Sequence, residues 1–148
     1  IIERLMTARN KPSIAVLLVQ KEVAVRLAAM PGDMSVLAVS AQIYADTHLG
    51  IHVDRSLFTP PPKVDSQVII LRTRQSPLVA PEDERALFRV VKAGFAAKRK
   101  KLRSSISAGL AISKSQAEEL LRHADIDPEL RAEDLSIEQW LRLAKDAV

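Results

Sequence analysis

Ser13-Ile14-Ala15-Val16-Leu17-Leu18-Val19 is a run of β-branched residues and leucine that follows the break Asn10-Lys11-Pro12. Its apolar stretch, Ile14 to Val19, is the longest in the chain and falls far short of the ~20 residues a membrane-spanning helix needs. Without polar alternation, it has the pattern of a strand buried on both faces, and such strands belong to parallel sheets covered by helices. Helical spacing lies on either side. Ile1, Ile2, Leu5 and Met6 share one face with Glu3 and Arg4 opposite, so Ile1 to Arg9 reads as the end of a helix whose beginning is expected to precede the chain. Gln20 to Met30 returns to helical spacing through Val23, Leu27 and Met30, with Glu22 one turn before Arg26 and Pro31-Gly32 as the stop. The fold class read from this stretch is α/β.

Further along, Ser35 to Ala45 fits a helix and Thr47 to Val53 a strand, with His48, Gly50 and His52 expected opposite Leu49, Ile51 and Val53. Phe58-Thr59-Pro60-Pro61-Pro62-Lys63-Val64-Asp65-Ser66 must be an extended connection outside any sheet interior, because three prolines fix φ and remove three donors. Gln67 to Leu71 is a strand. Pro77 to Pro81 reads as a linker, and Pro81 with Glu82, Asp83 and Glu84 as a helix start. From there the pattern is helical. Leu102, Ile106 and Leu110 form a stripe, Leu120, Leu121 and Ala124 another. Ser113 with Gln116 and Ser136 with Gln139 have capping-box spacing, and Asp127 before Pro128 reads as a cap with a proline at the first helical position. The partition is residues 1–76 as the last part of a larger α/β domain, then residues 77–148 as a small all-helical domain.

Composition narrows the function. In 148 residues there is no cysteine, which removes thiolate metal sites, thiol catalysis and disulfide scaffolds and is compatible with a reducing cytoplasm. With 47% hydrophobic residues the chain can bury a core. A soluble, cytoplasmic protein is expected, cut from something longer, since the sequence starts at Ile1 with no leader pattern. The net charge of +4 is unevenly spread. Residues 1–80 carry +3, residues 81–112 carry +5 and residues 113–148 carry −4. A basic middle before an acidic tail points to a polyanion-binding surface, nucleic acid above all.

No Gly-rich phosphate loop, zinc-protease helix, hydrolase elbow or carboxylate cluster is present. His48, His52 and His123 are scattered, and each reads as a surface or structural residue. Phe58 is different. Held by a rigid Pro-Pro-Pro arm at the mouth of a sheet, it either plugs the core or offers its ring for a base to stack on, a contact of ~1–3 kcal/mol. Lys63 beside it can meet a phosphate or simply face water. Gln20, Lys21 and Glu22 suit a strand end and helix start. Asp65 and Ser66 are expected to order the turn into the next strand.

Phe58 to Ser66, with the strand that follows, resembles the Phe-x-Pro-x-Pro-Lys-Val-x-Ser motif of the rRNA adenine dimethyltransferases. Val19-Gln20-Lys21-Glu22-Val23-Ala24 with Pro31-Gly32, Lys98-Arg99-Lys100-Lys101-Leu102-Arg103 and Leu135-Ser136-Ile137-Glu138-Gln139 are similar to the same family and stand in the same order. The likeness is strongest to the bacterial small-subunit branch, the kasugamycin-sensitivity type that acts on 16S rRNA. It implies the C-terminal part of a Rossmann-like, S-adenosylmethionine-dependent methyltransferase domain followed by a small all-α domain. The family's cofactor loop and its Asn-Leu-Pro-Tyr motif have no counterpart in this sequence, so the fragment alone should neither bind S-adenosylmethionine nor catalyse. In the whole enzyme the adenine amine attacks the sulfonium methyl directly, and the protein positions the amine. Carried over, Phe58 is the residue that stacks on the target adenine. One departure is visible: only Asp33 and Met34 stand where the family has a longer loop containing Tyr-Gly, which leaves any RNA contact from that loop open.

The basic segment comes next in weight. From Arg85 to Arg103 there are eight cations and no acid, five of them, Lys98, Arg99, Lys100, Lys101 and Arg103, within six positions. On a helix these charges would fan over a broad arc around Leu102. Together with Lys63, Arg89 and Lys92 they are the expected RNA-binding residues, with salt-dependent binding. The partner implied by the resemblance is 16S rRNA in the immature 30S subunit, met by a monomer without a membrane. The competing readings are a macrolide-resistance type 23S rRNA methylase and a non-catalytic RNA-binding ribosome-assembly module.

Overall fold

The computed structural model describes residues 2–147, the side chain of Glu3 excepted. Ile1, on the expected apolar face of the first helix, and Glu3, opposite it, therefore lie outside the described side chains. The chain divides into two compact units. One contains the residues up to Ala29 together with Leu37–Leu78, the other Met30–Val36 together with the residues from Val79 onward.

The first unit is built on three strands, β1 (Ile14–Gln20), β2 (Ala45–Val53) and β3 (Ser66–Thr73), in the order β1-β3-β2. β3 lies in the middle and pairs antiparallel with both neighbours, with Leu17 opposite Ile69 and Leu49 opposite Ile69 on the other side. Its Gln67, Ile69 and Leu71 are buried, as is Ala15 of β1 opposite Leu71. The short helices α1 (Ile2–Met6), α2 (Lys21–Leu27) and α3 (Val36–Gln42) complete this unit's described elements. α2 touches all three strands, and its Ala24 and Leu27 are fully buried. The buried Gln67 amide is satisfied by donating to the Gly50 carbonyl. The Gln42 amide donates to the carbonyls of Leu27 and Ala29 and so ties α3 to the end of α2.

Two expectations are corrected here. The run at Ile14 to Val19 is a strand, but its partner β3 is antiparallel to it and, among the described residues, only one of its faces is covered. Ile14, Val16 and Leu18 are 46%, 62% and 51% exposed, while Ala15 between them is buried. An unbroken apolar run records that both faces are water-averse and not that both are covered by the same chain. The strict alternation expected in β2 also fails. The pairing slips between Leu49 and His52, and Leu49 and Ile51 are both exposed. A bulge moves every later side chain to the other face. Gly50 sits at that irregularity, where a Cβ would come within 2.7 Å of Val68 Cγ1.

The second unit consists of α4 (Glu84–Phe95), α5 (Leu102–Leu110), α6 (Lys114–His123) and α7 (Ile137–Asp146). Their apolar stripes meet around Leu87, Val91, Leu102, Ile106, Leu121, Leu135 and Trp140, all essentially inaccessible to water. Both capping boxes form. The Ser113 hydroxyl accepts from Gln116 N and Ser136 from Gln139 N, and each Gln side chain accepts in return from the cap residue's own N–H. Asp127-Pro128, expected to begin a helix, begins a turn instead. The Asp127 carboxylate accepts from Glu129 N and its carbonyl from Leu130 N, and the chain goes on to a single 3-10 turn at Ala132–Asp134. Residues 30–36 join this unit because Gly32 N and Met34 N both donate to the Glu133 carbonyl. Gly32 has φ +110°, which an L side chain rarely adopts.

Trp140 organises the helical core. Its ring lies 5.6 Å from that of Phe95, and its indole N–H has no partner among the described residues. A Cβ on Gly94 would collide with the indole. Gly94→Ala should therefore destabilise the protein by about 1–3 kcal/mol despite alanine's better helix propensity, because the core cannot absorb the methyl. Urea unfolding checks this, and an unchanged or raised midpoint would show that the indole can move aside.

Candidate nucleic-acid interface

The loop from β2 to β3 carries the first group of candidate residues. β2 ends at Val53, and Asp54 starts a 3-10 turn at Arg55–Leu57 by accepting from Ser56 N at 2.8 Å. Hydrogen bonds from the Ser56 side chain and backbone hold the Asp54 carboxyl below its usual range. Phe58 closes the turn, its N–H donating to the Arg55 carbonyl. The ring of Phe58 is half-buried, whereas Leu57 before it is 75% exposed. Pro60 to Val64 then run outside the sheet, all exposed, and the Thr59–Pro60 peptide is cis.

Asp65 staples this loop at its base. One carboxylate oxygen accepts from Arg55 N at 3.0 Å and the other lies 3.2 Å from His52 Nε2, while the Asp65 carbonyl accepts from Lys21 N. The Arg55 guanidinium donates to the Lys63 carbonyl at 3.1 Å. The Lys63 backbone is thus fixed while its side chain stays exposed. Lys63 and Arg55 also border an open groove of about 680 Å³ that reaches Lys21, Val25 and Asp65, though Phe58 is not among its walls. Asp65 behaves as the turn residue read from the sequence. Arg55 was missed, for its bond to Asp65 comes from the backbone N–H that any residue supplies and its guanidinium reaches a carbonyl.

The second group lies in the helical unit, and here the expected helical array is corrected. α4 ends at Phe95 and α5 begins at Leu102, so Lys98, Arg99, Lys100 and Lys101 occupy the connecting turn. Lys98, Arg99 and Lys100 are exposed and make no ion pair with a described residue. Lys101 and Arg103 are engaged. The Lys101 ammonium pairs closely with Glu129, and the Arg103 guanidinium lies 2.8 Å from Glu129 and 3.6 Å from Glu118. Arg122 reaches the second oxygen of Glu118 at 3.2 Å. The row that looked free of acids is thus partly neutralised by carboxylates from the acidic tail. Arg89 and Lys92 are exposed on α4. Among the described residues no glycine-rich loop follows a strand, and the spaces beside Gly50, Gly94 and Gly109 are filled by Val68, Trp140 and Ala93. No helix among the described residues is long and apolar enough to cross a membrane.

The fold has solved counterparts. A crystal structure of the 23S rRNA methyltransferase ErmE superposes with a TM-score of 0.72 at 26% identity, over 98% of this chain and 58% of that one. A dimethyladenosine transferase from Plasmodium falciparum gives 0.77 at 27% identity, over 96% and 59%. Among curated proteins, "Ribosomal RNA small subunit methyltransferase A" of Dehalococcoides mccartyi is 36% identical over 143 residues, and the protein of the same name from Nostoc sp. is 41% identical over 151. Both matches take in 97% of this chain, which spans about half the length of these relatives, 49% and 55%. The family model described as ribosomal RNA adenine dimethylase matches residues 1–147. The chain belongs to the ribosomal RNA adenine dimethylase family.

The Lys101 hydrogen bond and the neighbouring Arg103 charge keep the Glu129 carboxyl below its ordinary value of 4.5. A lowered carboxylate pKa adds stability above the unfolded value and loses it as pH falls through the folded one. Glu129→Gln should therefore lower the urea midpoint near neutrality, with the gap to the unsubstituted protein closing as pH drops below 4.5. A gap independent of pH would show that the carboxylate charge is not what holds the turn.

Proposed function

We propose that this chain is the substrate-binding part of an rRNA adenine dimethyltransferase that modifies 16S rRNA with S-adenosylmethionine during small-subunit maturation. The family match over residues 1–147 carries the reading. In it, the three-stranded unit is the end of a Rossmann-like sheet whose remaining strands continue from the outer edge of β1 and whose remaining helices cover the bare face of Ile14, Val16 and Leu18. The outer edge of β1, which has no strand partner among the described residues, is what a continuing sheet would pair with, and the exposed face is what its helices would cover. Residues 77–148 are the RNA-binding helical domain.

The roles divide by chemistry. The methyl donor is S-adenosylmethionine, and its binding falls to residues outside this chain. Phe58, on a loop stapled by Asp65, stacks on the target adenine and holds its amine in line. Lys63 takes a neighbouring phosphate. Arg89, Lys92, Lys98, Arg99 and Lys100 bind the rRNA backbone electrostatically. Lys101 and Arg103 join them only by exchanging Glu129 for phosphate, so their first role is to shape the turn. The protein acts as a cytoplasmic monomer on the immature 30S subunit. A 23S rRNA substrate is the second reading, favoured by the likeness to ErmE. The names of the curated relatives favour the small subunit.

The test is a chimaera in which this chain follows the amino-terminal half of the Nostoc relative. It should transfer labelled methyl groups to immature 30S particles, and transfer to 23S rRNA alone would hand the assignment to the second reading. Phe58→Ala should reduce turnover by roughly 5- to 150-fold, the cost of a lost stack, with RNA affinity nearly unchanged. Unaltered turnover would return Phe58 to a packing role. In the 148-residue chain, replacing Lys98, Arg99 and Lys100 by Ala should lower the slope of log affinity against log salt by roughly 2. A constant slope would mark the turn as a solvated face.

A further inference from the structure

α4 carries an aromatic ring where a core-facing helix calls for none. At 100° per residue, Leu87, Val90, Val91 and Gly94 gather on one side, and all four are buried. Arg85, Phe88, Arg89 and Lys92 follow the spacing i, i+3, i+4, i+7 and fill an arc of roughly 100° turned away from that side. The three cations are exposed, and Phe88 is half-buried among them. With Pro81 and Glu84 these four residues line an open groove of about 550 Å³, within the size range of small-ligand sites. Glu84 is its only acid. None of the three cations is ion-paired to a described residue, unlike Lys101 and Arg103 in the next turn.

A flat apolar ring flanked by three uncompensated cations matches one kind of ligand group: a planar base with a phosphate on either side. A duplex cannot supply it, because the faces of its bases are stacked inside and only base edges, 2′-hydroxyls and phosphates face the protein. We propose that the Phe88 groove binds an unpaired nucleotide of RNA, its base stacked on Phe88 and its flanking phosphates held by Arg85, Arg89 and Lys92. This rests on the reading that the helical unit binds RNA. It adds a preference for single-stranded RNA and assigns functions to Arg85 and to Phe88, which charge alone would not select. Stacking is tolerant of sequence, since every base has a π-face, so the groove anchors a strand without choosing its bases.

The test uses the 148-residue chain, fluorescence anisotropy and two labelled probes: a ten-nucleotide single-stranded RNA and the same backbone with abasic riboses. Phe88→Leu, which keeps the apolar bulk, should weaken binding of the first probe roughly 5- to 150-fold and leave the abasic probe and the salt slope unchanged. Phe88→Trp should bind both probes as the unsubstituted chain does. Equal loss on both probes would assign Phe88 to packing and overturn the proposal, as would no loss on either. If polyglutamate of matched charge competes as well as the single-stranded RNA, the groove is a plain anion surface and the proposal fails. Failure of the unsubstituted chain to bind either probe would overturn the RNA-binding reading as well.

Discussion

β3 is the constraint on which the first unit depends. It is hydrogen-bonded along both edges, to β1 and to β2, and it carries Gln67, Ile69 and Leu71 into the only face of the sheet covered by described helices. Its first residue, Ser66, pairs with the last residues of both neighbours, Gln20 and Val53. The end of β1, the end of β2 and the start of β3 are therefore brought to one rim. Asp65, one residue earlier, receives the Arg55 backbone, His52 and Lys21 N at that rim. The position of Phe58 follows from this pairing: the Pro-rich arm starts and ends at points fixed by the sheet and the staple.

The helical unit solves a different problem. Its cations are gathered on one stretch of chain, and repulsion between like charges there must not strain the fold. The acidic tail meets this requirement by position. Glu118 and Glu129 neutralise Lys101 and Arg103, the cations nearest the start of α5, and leave Lys98 to Lys100 and the outer arc of α4 uncompensated. The net charge of +4 thus understates the field of the surface that matters.

Much of this was legible in the sequence because it is local. Ser113 with Gln116 and Ser136 with Gln139 begin helices as their spacing says, since a capping box needs only residues three apart. The Pro60 to Pro62 run lies outside the sheet because proline chemistry allows little else. What was not legible depends on partners distant in sequence. Nothing in Ile14 to Val19 says which face is covered. The bulge at Leu49/His52 arises from pairing with β3 and leaves no mark in β2 beyond Gly50. Asp127-Pro128 was misread because a helix cap and an Asx turn use the same carboxylate-to-N–H bond. Lys101 and Arg103 looked free because Glu129 stands more than twenty residues away.

The central claim is that this chain holds the substrate RNA and not the methyl donor. Calorimetric titration of the 148-residue chain with S-adenosylmethionine, and separately with an RNA from the 3′ end of 16S rRNA, tests it most directly. The account predicts no heat of binding with S-adenosylmethionine and RNA binding that weakens steeply with salt. Binding of S-adenosylmethionine without RNA binding would contradict it.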